Sequence, residues 1–357
     1  MNKKIIYIVA NDKHTSLFIN AMMTSIKDYN HIFIVPKGEF EMDLINKDFY
    51  NNVIEIENIN SLFNSKYKAI LLNADKVIVS GLFGEISYKL LFFSKKILRK
   101  TYLQFWGGDF YGYRDIKKFS KMWIKKYLFY FGIKKCKAII NLIDTDYEEL
   151  CKVFPNKLQH FVGEMPEDSR CEEIISKYID FDNYSKEKNI IIGNSATKEN
   201  YQIEILRKLE HLKNCNIKIY CPLSYGDSEY AKKVAEEGKK IYGNKFFPIF
   251  EYMSFDDYVS LLSSCSVGIF NNDRQQAMGN INMLLKLGKK IYIRDDTCMW
   301  KTYFENYKFN IYRINELDQI SYEDLFEFSS SNGKDNNKKI IKKENEWIHN
   351  WNVILES

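Results

Sequence analysis

No apolar run in this 357-residue chain approaches the roughly 18–20 residues of a membrane-spanning helix. That excludes a helical span and leaves the membrane surface open. No two cysteines have CxxC spacing. The seven present (Cys136, Cys151, Cys171, Cys215, Cys221, Cys265 and Cys298) are scattered and odd in number. This fits reduced thiols buried as small hydrophobes in a cytosolic protein. The opening MNKKIIYIVANDKH has a basic start but only about six apolar residues before Asn11, too few for a secretory signal. It reads as a first strand, and the expectation is a protein kept inside the cell. No internal repeat is visible, and no low-complexity segment beyond short Lys/Asn runs. Neither sign of charge dominates: 52 basic against 47 acidic side chains leave +5. That total does not suit a nucleic-acid partner, and none is expected. What the chain has in quantity is aromatic residues, 25 Tyr and 25 Phe.

Length alone makes two domains the prior. Apolar, β-branched runs mark strands at 4–10, 31–35, 53–56, 76–80, 101–105 and 138–143, with helical patterns at 17–26, 85–99, 115–133 and 146–153. The stretch from Gly163 to Lys188, with Pro166, Glu167, Asp168 and the polar run Asn183–Lys186, reads as a boundary. A second series follows: strands at 189–193, 216–221, 246–250, 267–270 and 290–294, helices near 200–212, 228–241, 255–264, 276–287 and 298–305. Residues 328–337 (FSSSNGKDNN) read as a loop, and 338–353 as a last amphipathic helix with Trp347 and Trp351 on one face. The expected division is 1–170, 188–335 and a C-terminal helix, 336–357, packing across domains. Alternating strands and helices predict mostly parallel sheets covered on both faces, with ligands beyond the carboxyl ends of the strands.

The stretch Gly268–Gly288 carries the strongest signal. A short strand passes through Asn271-Asn272-Asp273 to Arg274, Gln275 and Gln276. A small-residue step including Gly279 and Asn280 then enters an apolar helix. Free N–H groups, the helix dipole and one full charge make an anion site. At the end of the 189–193 strand, Gly193 permits close backbone approach, Asn194 and Ser195 bring polar groups, and Asn200 opens the next helix. Pro222 and Tyr225 follow the next strand and can wall a flat nucleobase. Tyr252 and Met253 lie at the third strand end, before Ser254 and Asp257, which start a helix in the manner of a capping box.

In the first half, Trp106, Gly107, Gly108, Asp109 and Tyr111 place rings and a carboxylate at a strand end, a combination that suits sugars. Asp12 and His14 hold the equivalent position after the first strand and make an acid–base candidate pair. Asp144/Asp146 and Asp180/Asp182 have the spacing of a metal-holding acidic pair, but Thr145 with Glu148 reads as a capping box. Basic, aromatic-rich segments run through 87–100 and 117–135. Lys117, Lys121, Trp123, Lys125 and Lys126 would lie on an anionic membrane surface.

Taken together, the WGGDFY segment at 106–111, IGNS at 192–195 with Asn200, the Pro222–Tyr225 turn and above all DRQQAMGNINMLLKLG at 273–288 resemble one family. It is the bacterial Fuc4NAc transferases, also described as 4-alpha-L-fucosyltransferases. Gly107-Gly108 stands where that family has Gly-Ala, and the turn after Tyr225 is shorter. The resemblance implies an α/β GT-B glycosyltransferase: two Rossmann-like domains, an interdomain crevice and a C-terminal crossing helix. It implies transfer of a deoxyamino sugar from a dTDP-sugar to an undecaprenyl-diphosphate-linked acceptor at the cytoplasmic face of the plasma membrane, with no metal or other cofactor. Asp109 or Asp12 would be the base, with His14 nearby and Arg274 facing the leaving diphosphate. Trp106, Gly108 and Tyr111 would touch the acceptor. The alternatives are a GT-B enzyme using another nucleotide sugar for O-antigen or capsule, a metal-dependent transferase working through Asp144 and Asp146, and a non-catalytic binding protein.

Overall fold

Among the residues that the computed structural model describes (2–12, 14–38, 42–166, 169–181 and 188–357, with the backbone alone at 169 and 170), the apolar runs form two all-parallel sheets. Glu167, Asp168, Asp182 and the polar run 183–186 lie outside the described residues. The chain divides into two compact units, residues 1–168 with 346–357, and residues 169–345.

The first unit contains β1 (Lys4–Val9), α1 (Thr15–Ser25), β2 (Asn30–Pro36), β3 (Val53–Ile56), α2 (Ser65–Leu72), β4 (Lys76–Ser80) and α3 (Glu85–Lys89). It continues through α4 (Lys95–Leu98), β5 (Thr101–Phe105), α5 (Gly108–Tyr111), α6 (Lys121–Ile133), β6 (Ala138–Asn141), α7 (Asp146–Val153) and β7 (Gln159–Val162). The strand order is β3-β2-β1-β4-β5-β6-β7. Every residue of β4 and β5 is buried, which is why these strands read as continuous apolar runs rather than alternating ones. Period-two geometry sends Ile6, Ile8, Val77, Val79 and Leu103 to one face, packed with Leu71, Ile97, Phe110, Phe129 and Leu150. Tyr7, Ile78 and Tyr102 go to the other face, under Phe18, Ile19 and Met22 of α1 and under Trp351, Ile354 and Leu355. Trp351 is fully buried, 5.4 Å from the Phe18 ring, and its indole N–H donates to Glu164 O at 2.9 Å. Trp347 is half-buried beside it.

The second unit contains α8 (Ser169–Ser176), β8 (Asn189–Ile192), α9 (Gln202–Lys208), β9 (Lys218–Pro222), α10 (Ser228–Tyr242), β10 (Phe246–Ile249) and α11 (Phe255–Ser264). It continues through β11 (Cys265–Phe270), α12 (Met278–Lys286), β12 (Lys290–Ile293), α13 (Cys298–Trp300), β13 (Tyr312–Arg313), α14 (Tyr322–Phe326) and α15 (Ser330–Glu356), whose last turns belong to the first unit. The strand order is β10-β9-β8-β11-β12-β13. A Cβ on Gly268 would meet Leu284 Cδ1 at 2.5 Å, so glycine lets α12 lie directly on β11.

In each sheet the strand order reverses once, between β1 and β4 and between β8 and β11. Connections leave in opposite directions there, and a gap opens beyond the carboxyl ends. Both candidate sites fall at these points.

Several expectations are corrected. Residues 328–337 are not a loop: α15 starts at Ser330 and runs 27 residues. Its low-propensity polar residues are held by tertiary bonds. Asn336, fully buried, receives the Asn310 N–H at 2.7 Å, and Asn337 Nδ2 donates to Lys286 O at 2.6 Å. The 85–99 helix is three pieces: it tightens to a 3₁₀ turn at Leu90–Phe92, and the chain then extends at Phe93 and Ser94 before α4. The 115–133 helix starts only at Lys121, where Ser120 Oγ accepts the Trp123 N–H. Thr145 has helical angles and makes no side-chain cap, so the capping box with Glu148 is absent.

Candidate active site

The second switch point is built from three loops. Gly193 turns at φ +68°, a left-handed angle that glycine adopts without strain, and its N–H bonds Ile269 O on β11 at 2.9 Å. Asn200 closes a short 3₁₀ turn rather than opening α9. It folds back instead: its Oδ1 accepts the Asn194 N–H at 3.1 Å, and its Nδ2 donates to Thr197 Oγ1 at 2.6 Å and Ser195 Oγ at 3.2 Å. Gln276 reaches the same hydroxyls from the loop after β11, donating to Ser195 Oγ at 3.1 Å and Thr197 Oγ1 at 3.0 Å. Asn272 Nδ2 donates in turn to Gln276 Oε1 at 3.2 Å. The loops after β8 and β11 are thus one hydrogen-bonded body.

At the start of α12, Ala277 adopts a left-handed conformation (φ 61°, ψ 15°) and supplies no side-chain cap. The first-turn N–H groups therefore carry the helix dipole's positive end without a side-chain acceptor at the cap. A Cβ at Gly279 would meet nothing within 4 Å, so the helix start is open there. Arg274 is part-exposed on the same loop, with Nη1 donating to Gln275 O at 3.2 Å. Gln275 is buried against Met278 Sδ, and Asn280 donates to the Tyr258 hydroxyl at 2.7 Å. Both hold neighbouring structure, so the exposed polar groups here are fewer than the sequence suggested.

Beyond β9 and β10, Tyr225 and Tyr252 stand with near-parallel rings, centroids 6.3 Å apart and planes 9° apart. The Tyr225 hydroxyl accepts from Asn194 Nδ2 at 2.8 Å. Burial raises its pKa, against the opposing pull of Asn194, Ser195 and the Arg274 charge. Met253 is exposed next to Tyr252, whereas Pro222 ends β9 in the core.

At the first switch point a cavity of about 320 Å³ is lined by Ala10, Asn11, Asp12, Pro36, Phe83 and Ile86, among others. Asp12 Oδ1 accepts the His14 N–H at 2.9 Å and lies 4.0 Å from His14 Nε2; both side chains reach solvent. Trp106 meets Phe83 edge to face at 5.8 Å, and its indole N–H donates to Ser80 Oγ at 3.1 Å. Gly108 lies under the Phe83 ring, which a Cβ there would touch at 3.5 Å. Asp109 is buried. Its carboxylate accepts the Leu82 N–H at 3.0 Å and the Trp106 N–H at 3.1 Å, tying the loops after β4 and β5. Burial outweighs those bonds and raises its pKa to about 6. Tyr111 does not face the cavity as expected: it is buried against Phe110, and its hydroxyl donates to Asp146 Oδ1 at 2.5 Å. Asp146 is thereby taken into the core while Asp144 is exposed, so the two do not make a metal pair. Among the described residues, no group of three or more His, Cys, Asp or Glu could hold a metal ion.

On α6 and in the turn before it the basic and apolar residues sort differently from the sequence expectation. Phe119, Met122, Ile124, Leu128 and Phe131 are exposed, Phe119 by 85%, as is Phe92 by 71%. Lys117 and Lys121 are exposed with them. Trp123 is part-buried between Phe119 and Tyr127. Lys125 covers the Tyr88 ring, and Lys126 turns back to donate to Tyr113 O at 2.8 Å.

Sequence reasoning offered the Thr197 hydroxyl for an anion rather than as the shared partner of Asn200 and Gln276, and passed over Phe83 at the cavity. Thr197 carried a signal, being a hydroxyl two residues after Ser195 in the same turn. Phe83 carried none.

Two parallel sheets, each with polar loops gathered at its switch point, make the GT-B fold, the architecture of many glycosyltransferases. Solved structures agree on the fold. HepE of Anabaena in complex with UDP matches with TM-score 0.70 at 10% identity over 99% of both chains. A glycosyltransferase from Rickettsia africae matches at 0.64, 14% identical, over 99% of this chain and 97% of that one. An alpha,alpha-trehalose 6-phosphate synthase from Burkholderia multivorans matches at 0.64, 7% identical, over 99% and 97%. The family model for 4-alpha-L-fucosyltransferases, glycosyl transferase group 56, matches residues 17–356, and the chain belongs to that family.

Proposed function

We propose that this glycosyltransferase moves a deoxyamino sugar of Fuc4NAc type from a dTDP-sugar to an undecaprenyl-diphosphate-linked oligosaccharide, in bacterial surface polysaccharide assembly. The observation that carries the donor half is the uncapped start of α12 beside Arg274 at the β8/β11 switch point. A diphosphate suits it: N–H groups and helix dipole meet the phosphate oxygens, and Arg274 adds a full charge. HepE of Anabaena, which shares the fold, was solved with UDP-glucose, which supports a nucleotide sugar as donor class. The choice of dTDP and of the sugar rests on the motif resemblance.

The chemistry follows. An acceptor hydroxyl attacks the anomeric carbon, the bond from that carbon to the diphosphate oxygen breaks, and negative charge grows on the departing nucleotide. The α12 N–H groups and Arg274 stabilise that charge without a metal. Asp12 takes the hydroxyl proton, with His14 at hand. Of the two carboxylates expected in that role, Asp12 lines the cavity, whereas Asp109 is buried and spent on backbone N–H groups. Trp106 and Phe83 offer ring faces and edges for the acceptor sugar.

The exposed apolar residues of α6 with Lys117 and Lys121 support a peripheral place on the anionic cytoplasmic face of the plasma membrane. The test is a mass-spectrometric transfer assay with dTDP-, UDP- and GDP-sugars and the lipid-linked acceptor, in EDTA. Product from the dTDP-sugar alone is expected. Product only from UDP- or GDP-sugars assigns a different donor, and dependence on added metal refutes the metal-free chemistry.

A further inference from the structure

Two side chains at the donor site remain unused by that chemistry. Asn271 and Asn272 directly follow β11, are 2% and 3% exposed, and each keeps one polar atom without a hydrogen-bond partner: Nδ2 of Asn271 and Oδ1 of Asn272. A buried polar group left unpaired costs about 1–3 kcal/mol, so each of these atoms calls for a partner that the chain does not supply, a water or a ligand group. The Asn272 side chain is oriented by its own bond to Gln276, which fixes one end of the amide against the loop body and leaves the oxygen for something else.

We propose that Asn271 and Asn272 hold the transferred sugar of the donor and set its specificity; this rests on the donor reading above. At Asn272 the chemistry separates sugar from phosphate. A diphosphate near neutral pH presents acceptors, whereas Asn272 Oδ1 needs a donor, which a sugar hydroxyl or amide N–H supplies. Asn271 Nδ2 needs an acceptor, which the same groups supply. The sheet separates sugar from base. Tyr225 and Tyr252 follow β9 and β10, the Gly193 turn follows β8 and is bonded through Ser195 to Gln276 of the loop that leads into α12, and the asparagine pair follows β11. From β9 to β11 is two strand spacings, roughly 10 Å. That is the order in which a base, a ribose diphosphate and a sugar succeed one another along a nucleotide sugar.

The test is calorimetric titration of the full chain with dTDP, UDP, dTDP-glucose and UDP-glucose, for wild type, Asn271→Ala, Asn272→Ala and Gln276→Ala. The wild type is expected to bind a nucleotide sugar more tightly than its nucleoside diphosphate. Each asparagine variant should bind the nucleoside diphosphate within about twofold of wild type and the nucleotide sugar on the order of tenfold more weakly. Gln276→Ala, which loosens the loop body, should weaken both alike. Asn271→Ser and Asn272→Ser replace any alanine variant that fails to fold, with the same expected direction. Equal losses for diphosphate and sugar in the asparagine variants, or no loss in either, overturn the proposal. No binding of any nucleotide by the wild type removes the donor reading itself, and the inference with it.

Discussion

Gln276 donates through one amide nitrogen to Ser195 Oγ, 3.1 Å away, joining the loop after β11 to the turn after β8. The same nitrogen reaches Thr197 Oγ1 at 3.0 Å. This side chain, a donor-site candidate in the sequence, fixes the distance between two walls of the site. Gln276→Ala should lower the stability of the 169–345 unit by about 1–3 kcal/mol and weaken dTDP binding several-fold. Urea unfolding and calorimetry check both. Unchanged values in each would show that the loops hold together without it.

Arg274 has the complementary role. Its charge matters when the leaving diphosphate gains charge, so Arg274→Ala should lower kcat on the order of 10²–10³-fold, with Arg274→Lys recovering part of the loss. Turnover at the wild-type rate in the alanine variant would remove Arg274 from the chemistry.

Asp109 yields a pH prediction. In the unfolded chain it ionises near the ordinary aspartate value, about 3.9. In the folded chain burial raises the pKa to about 6. The folded state therefore holds its proton longer. The stabilisation is complete below the unfolded value and is lost as pH rises through about 6. Two pKa units correspond to about 3 kcal/mol. The stability of wild type minus that of Asp109→Asn should fall by up to that amount between pH 4 and pH 7. A difference independent of pH would mean that the carboxylate is already ionised when the chain folds.

The exposed residues of α6 and of the turn before it predict membrane attachment by apolar insertion as well as by charge. Phe119→Ser, Ile124→Ser and Phe131→Ser combined remove apolar groups worth roughly 1.5–3 kcal/mol each when fully buried. Cosedimentation with vesicles of phosphatidylglycerol and phosphatidylethanolamine should fall at least tenfold, while phosphatidylcholine vesicles bind the wild type weakly. Equal pelleting of triple variant and wild type would contradict attachment through this face.

Much of the fold was legible because buried parallel strands are written as β-branched runs; β1, β4 and β5 lie within a residue of where their apolar stretches put them. The start of α15 was not legible. Ser330, Asn332, Gly333 and Asn337 disfavour a helix locally, and only contacts such as that of Asn337 with Lys286 O, 51 residues away, override them. In the site, the polar loop after β11 was visible as a unit, but not the partition of labour within it. Gln275 and Gln276 are adjacent and chemically identical, yet one is buried against Met278 and the other bridges two loops. On α6 the amphipathic character was plain. That Lys126 turns inward to Tyr113 O while Ile124 and Phe131 face outward depends on where the helix starts, which Ser120 sets.

The most direct test of the donor site is a crystal structure of the full chain soaked with dTDP. The account predicts difference density for the diphosphate at the start of α12, within hydrogen-bond reach of the N–H groups of Met278–Asn280 and of Arg274, with the base beside Tyr225 and Tyr252. Density for the nucleotide in the cavity beside Asp12, with the α12 start bare, would contradict it.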